Sequence, residues 1–388
     1  MCVKKKTRRR KAKRSLIIAL FCVLSAIAGF YIQRRINFVN EYVNVVYKTV
    51  NTEVVNEASI VMVGDALMHM GVNSAYKTSN GYNFSGMFKY IKPIVSQYDL
   101  AYYNQETVLG GTSLGLSGYP QFNSPQEVGD GFIDAGFNLV SLATNHTLDN
   151  YYRTNGKTIT NSLNYWKSKS DKVYYAGSYS SQEERDEIVI KEINGIKYGF
   201  LSYTEHTNGI TVPSGKSYLV NVYSKDKVKK DVEAYRDKVD LLIVAMHWGE
   251  EYTHTPTSGE KEKAKYLASL GVNLIIGCHP HVIQPMDYIG DTLVVYSLGN
   301  FVSSQVGDDR LSGLMASANI VKRTYHGRTT VKVEDPTAEF IYTRKNEKFI
   351  VYPYSKLNSN LLYSYKTYYN NYKKIVTSMS DKIKVKEL

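Results

Sequence analysis

"LIIGCHPHV", residues 274–282, runs an apolar stretch directly into His-Pro-His. An apolar run of this length, bounded by punctuating residues, reads as a buried strand. A buried strand that ends in two imidazoles needs a chemical reason. The pattern recurs along the chain in "SIVMVGD" (59–65), "DLAYYNQE" (99–106), "FNLVSLATNH" (137–146), "KYGFLSYTEH" (197–206), "DLLIVAMHWGE" (240–250) and "TLVVYSLGN" (292–300). Each is apolar or β-rich and runs at once into Asp, Asn, Glu or His. Segments of helical pattern lie between several of them. "GEKEKAKYLASLG" (259–271) sets charges against Tyr266, Leu267 and Leu270, with Gly271 placed to cap its C-terminus. This alternation predicts an α/β fold. Open α/β sheets form their ligand sites at the carboxyl ends of the strands, so the seven polar ends are expected to share one rim.

The chain has 388 residues and a formal net charge of +12. Nine basic residues, and no acid, lie within residues 1–14, which leaves +3 for the rest. The body is therefore nearly balanced, and a nucleic-acid footprint is not indicated. After the basic arm comes "SLIIALFCVLSAIAGFYI" (15–32), without charge, and then Arg34 and Arg35. As a helix this run is about 27 Å long, enough for a thin bilayer. The excess of positive charge before it favours a cytoplasmic N-terminus with the body outside, in the cell membrane as a single-pass protein. Ala26-Ile27-Ala28 has the form of a signal-peptide cleavage site. The apolar run continues past it to Ile32, which favours an uncleaved anchor.

The expected organisation is a basic arm (1–14), an anchor (15–33), a stalk (34–57), the α/β body (58–305), a β extension (306–354) and a polar tail or helix (355–388). Of three cysteines only Cys278 falls in the body, so no disulfide framework is possible there; it reads as a small apolar filler.

His146, His247, His279 and His281 stand at strand ends on the shared rim, together with Asp65 and Glu106. Neutral imidazole suits Zn, Mn or Fe, and a carboxylate can bridge two cations. In His-Pro-His the rings are two residues apart, so both can face one side of an extended strand end. Asn145 offers a neutral oxygen beside His146, and Asp149, three residues on, is placed to orient that imidazole. Two divalent cations about 3.5–4 Å apart could then clamp a phosphoryl or carbonyl oxygen.

"VGDALMH", "NQE", "ATNHTLD", "AMHWGEE", "GCHPHVIQ" and "YSLGNF", in this order, resemble the CapA family of capsule and poly-γ-glutamate biosynthesis proteins, over about residues 58–305. "SYTEHTNGI" resembles a loop of the same family. The resemblance implies a calcineurin-like metallophosphatase fold, a four-layer α/β/β/α sandwich. It implies Asp65, Glu106, Asn145, His247, His279 and His281 as residues of a two-metal site, with His146 near the leaving group. It also implies an anionic surface polymer such as poly-γ-glutamate and other capsule synthase subunits as partners. The chain departs from the metallophosphatase pattern at position 67, where Leu replaces a histidine; His69 is the nearest substitute. "NQE" replaces Gly-Asp, making Glu106 the candidate bridging carboxylate with Asn104 beside it. His206 and Glu250, with its neighbour Glu251, are further candidates. Two functions follow: a metal-dependent hydrolase or transferase acting on a surface polymer, or a non-catalytic accessory subunit of a capsule synthase.

Overall fold

A computed structural model describes residues 2–346 and 348–388; Met1, Glu347 and the side chains of residues 2–8, 10 and 48–51, which include most of the basic arm, lie outside the description. The chain falls into two compact units, residues 1–54 with 323–329, and residues 55–322 with 330–388.

In the first unit, α1 runs unbroken over Cys2–Asn51, merging the anchor with most of the stalk. It has no Pro, and its one glycine, Gly29, meets nothing that would break it. Leu16, Ile17, Leu20, Phe21 and Leu24 are all more than half exposed. Among the described residues α1 is the one helix long and apolar enough to cross a membrane.

Apart from Val54, residues 323–325 and residues 328–329 at strand ends, the second unit holds β1 (Val54–Ala66), β2 (Leu100–Asn104), β3 (Leu139–Ser141), β4 (Tyr174–Ala176), β5 (Lys191–Ile193), β6 (Ile196–Thr204), β7 (Leu241–His247), β8 (Leu274–Cys278), β9 (Met286–Ile289), β10 (Thr292–Val295), β11 (Asn300–Val302), β12 (Ser312–Tyr325), β13 (Arg328–Lys345), β14 (Phe349–Pro353) and β15 (Lys384–Val385). Among the described residues one nine-stranded sheet has the order β14-β13-β12-β1-β2-β3-β4, with β11 beside β1 and β15 beside β13. A six-stranded sheet has the order β9-β10-β8-β7-β6-β5. β1 to β4 are parallel, as are β6, β7, β8 and β10.

Side chains alternate across a strand, and the alternation sorts them into layers. Ile60, Met62, Leu100 and Tyr102 of the first sheet share one buried cluster with Leu241, Ile243, Leu274 and Ile276 of the second. Their neighbours Val61, Val63, Ala101 and Tyr103 point the other way, onto Phe132 of α2 (Glu127–Asp134) and Trp166 of α3 (Lys157–Ser168). Leu242, Val244 and Ile275 pack outward on Val228 and Val232 of α4 (Lys225–Arg236) and Leu267 of α5 (Ser258–Ser269). The fold is thus a four-layer α/β/β/α sandwich.

Local signals set the helix limits. Thr257 and Glu260 form a capping box at the start of α5, and Gly271 follows its end at φ 88°. The polar appearance of residues 355–388 conceals a buried face. In α6 (Tyr365–Val376), Tyr369, Tyr372 and Val376 enter the cluster between the sheets. The tyrosines carry the apolar area that the composition of this segment hides.

Candidate metal centre

Sheet register places the site. Asp65, at the end of β1, stands opposite Asn104 of β2 on one side and Asn300 of β11 on the other. In the second sheet Thr204, His247 and Cys278 end their strands in register. Two glycines permit the close approach of neighbouring chain beside these residues. A Cβ on Gly64 would lie 1.7 Å from the Gly299 carbonyl oxygen, and one on Gly277 would lie 1.9 Å from that of Tyr296.

The His-Pro-His segment differs from the extended strand end expected of it. β8 stops at Cys278, and His279 (φ 98°) and His281 (φ 59°) adopt left-handed backbone. Such conformations in non-glycine residues persist only where surrounding contacts enforce them. Here the His279 amide donates to Asp65 Oδ2 at 3.2 Å, the Trp248 amide to Cys278 O at 3.1 Å, and the Tyr252 amide to Pro280 O at 2.8 Å. The turn brings the two rings to 5.8 Å, and His279 to 4.7 Å from His247, centroid to centroid.

The ligand atoms of Glu106, His247 and His279 lie within 4.8 Å of one another, as do those of Asp65, Glu106 and His281. Asn145 Oδ1 accepts from His247 Nε2 at 2.9 Å, and the Asn145 amide donates to Asn208 Oδ1 at 3.3 Å. His281 Nδ1 stands 3.0 Å from Asn300 Oδ1 and 3.2 Å from Asp65 Oδ2, while its Nε2 faces Glu106 at 3.6 Å. All six residues expected as ligands therefore meet. Asn104 is a positioning residue, its Nδ2 donating to Asp65 Oδ1 at 2.7 Å and lying 3.2 Å from His247 Nδ1. His146 Nδ1 pairs with Asp149 Oδ2 at 2.6 Å, and Asp149 also accepts from the Phe122 amide. The exposed His206 ring lies 5.3 Å from His279, at the mouth.

Two of the further candidates stand apart from these groups. His69 joins none of the ligand groups among the described residues. Its Nδ1 lies 3.1 Å from Leu67 O and 3.4 Å from the Ser304 amide nitrogen, and its ring packs edge-on against Phe122, because the chain turns into a short helix directly after it. Glu250 is exposed and outside every group; its neighbour Glu251 reaches His279 and His281 instead. Asn208 and Asn300 were not singled out from sequence. Their signals were present, in the "HTNG" loop and in "SLGN", but an asparagine in a Gly-containing loop reads first as a turn residue.

The donor set fits divalent cations. Among the described residues, four buried oxygens here lack a hydrogen-bond partner: both of Glu106, one of Asn104 and one of Asp149. Native interiors rarely leave such groups unsatisfied, and a cation bound by Glu106 would satisfy two of them. Burial, with Asp65 and Glu251 nearby, pushes the Glu106 carboxyl well above its ordinary range. Burial and the neighbouring imidazoles pull His247 and His279 down, keeping them neutral as metal ligands must be. His281 goes the other way: burial lowers it, but the Glu106 and Asp65 carboxylates outweigh this and raise it to about 9. Burial also pushes the Cys278 thiol far up, consistent with an inert filler.

A family model described as "Bacterial capsule synthesis protein PGA_cap" matches residues 59–305. A capsule biosynthesis protein CapA of Bacillus anthracis is 26% identical over 310 residues, covering 78% of this chain and 71% of that protein. A PGA biosynthesis protein CapA of Bacillus subtilis (strain 168) is 28% identical over 179 residues, covering 44% of each. Among solved structures, the calcineurin-like phosphoesterase YfkN of B. subtilis is similar at 14% identity and TM-score 0.43, covering 83% of this chain and 99% of that one. The NAD nucleotidase NadN of Haemophilus influenzae is similar at 10% identity and TM-score 0.41, covering 86% and 57%. The matched residues 59–305 include every candidate ligand described above, and over that span the chain belongs to the bacterial capsule synthesis family PGA_cap.

Proposed function

We propose that this capsule-synthesis protein is held in the cell membrane by α1 with its body outside. There its two-cation centre supports hydrolysis or transfer at a phosphoester or amide bond of an anionic surface polymer such as poly-γ-glutamate. The observation that carries this reading is Glu106, a fully buried carboxylate between Asp65 and three histidines, neither of whose oxygens has a hydrogen-bond partner among the described residues. Glu106, Asn145, His247 and His279 would hold one cation; Asp65, Glu106 and His281 would hold the other. Bound cations supply Lewis-acid polarisation of the scissile group and lower the pKa of water.

The chain's own residues do the rest. Asp149 accepts the Nδ1 proton of His146 and leaves Nε2 to carry the proton delivered to the leaving group. Asn208 lies 3.4 Å from that Nε2 and 3.3 Å from the Asn145 amide, so it sets both groups relative to each other. Elemental analysis of the full-length chain, purified in detergent after growth with Mn and Zn, should find close to two equivalents of transition metal. A protein without metal refutes the reading.

One observation favours the accessory-subunit reading. With Leu67 buried and apolar and His69 outside the ligand groups, the Asp65 side of the centre has three His or carboxylate donors among the described residues. In cells, Asp65→Ala combined with His279→Ala should abolish capsule if the centre is chemical. Intact capsule in that variant, lost only on deletion of residues 1–35, favours the accessory role.

A further inference from the structure

The ligand atoms around Glu106 are unevenly distributed. On the His247 side four donors converge: Glu106, His247, His279 and the Asn145 carbonyl oxygen. On the other side the His and carboxylate donors among the described residues are Asp65, Glu106 and His281, with Asn300 Oδ1 3.0 Å from His281 Nδ1. The segment after Asp65 adds no further donor to these groups among the described residues: Leu67 is apolar, and His69 belongs to none of them.

A third group of ligand atoms within 4.8 Å of one another consists of Glu251, His279 and His281; it shares His281 with the Asp65 group and His279 with the His247 group. Glu251 lies four residues beyond His247, the last residue of β7, in a loop that reverses at Gly249 (φ 85°) and Tyr252 (φ 67°). The Tyr252 amide bond to Pro280 O fastens this loop to the His-Pro-His turn. We infer that Glu251 is the carboxylate ligand that completes the cation position held by Asp65, Glu106 and His281, on the face of the centre that opens to solvent.

Distances support the assignment. Two donors each about 2.1 Å from one cation lie about 3.3–4.2 Å apart, according to geometry. The separation of at most 4.8 Å between the ligand atoms of Glu251 and His281 closes with a small side-chain rotation. Glu251 is exposed, so its carboxylate can make that rotation without disturbing the core. Its exposure also makes it the one carboxylate of the set that an incoming anionic group could displace.

The inference rests on the metal-centre reading above, and one titration separates the two. Full-length protein in detergent is stripped with a chelator and titrated with Mn²⁺, followed by calorimetry and elemental analysis. The unsubstituted chain should bind two equivalents. Glu251→Gln should keep one and weaken the other by at least about tenfold, while Glu250→Gln should match the parent. Because Glu251 is exposed, unchanged thermal unfolding of the metal-free variant should accompany the loss. A Glu251→Gln protein with the parent's stoichiometry and affinities overturns the assignment and leaves the metal centre standing. A parent that takes up no Mn²⁺ overturns both.

Discussion

Replacing Glu106 by Gln should raise the stability of the metal-free protein and remove its response to metal. Glu106 is fully buried, and neither oxygen has a hydrogen-bond partner among the described residues. An unsatisfied buried polar group costs about 1–3 kcal/mol, and more when charged. Gln keeps the shape and offers amide hydrogens to the neighbouring Asp65 carboxylate, which still pairs with His281 Nδ1 at 3.2 Å. For a body of this size about 1 kcal/mol corresponds to about 2 °C in Tm, so the metal-free variant should melt about 2–6 °C higher. Cation at a hundred times its Kd stabilises the parent by about 2.7 kcal/mol, or about 5 °C. The variant, lacking the carboxylate between the two positions, should show little of that increment. Thermal unfolding of both proteins in EDTA and in excess Mn²⁺ therefore gives curves whose order shifts with metal. A lower metal-free Tm for Glu106→Gln would show that the carboxylate is satisfied after all. An undiminished metal increment would show that it is not a ligand. Either result ends the argument that Glu106 organises the centre.

Three further outcomes are expected. His281 has a folded-state pKa raised to about 9, so its stabilising contribution is fully present below about pH 6.5 and is lost as pH rises to about 9. Metal-free protein should thus lose stability across that window, whereas the Mn²⁺-induced Tm increment should grow, because the ligands bind deprotonated; an increment that shrinks with pH contradicts the ligand assignment. Asp149→Asn should leave metal content unchanged but lower cleavage of an aryl phosphodiester by roughly 10²–10⁴-fold, since His146 loses the acceptor that sets its tautomer; an unchanged rate removes His146 as the proton donor. Tyr372→Ala in α6 should cost roughly 3 kcal/mol or more, read as a fall in Tm, because the ring is 1% exposed and packs within the inter-sheet cluster; a neutral substitution would return this helix to the surface.

Much of the centre was legible in the chain because parallel strands carry their chemistry at their carboxyl ends. Asp65, Glu106, Asn145, His247, His279 and His281 lie far apart in sequence, yet each follows an apolar run, and that placement alone predicted a common rim. Some assignments needed distances. His69 and Glu250 are chemically suitable, but a turn aims the first at Phe122 and the second stays in solvent. Asn208 and Asn300 look like turn residues until His146 and His281 are seen beside them.

By itself the sequence determined the strand–helix alternation, the apolar N-terminal helix and the chemical types gathered at the strand ends, because periodicity and composition are local properties. Only the tertiary structure decided which imidazoles share a carboxylate, that His-Pro-His is a left-handed turn rather than a strand end, and that the tyrosine-rich α6 closes the core. These depend on register and packing between segments up to two hundred residues apart, and no local pattern encodes a distance of a few ångströms across two sheets.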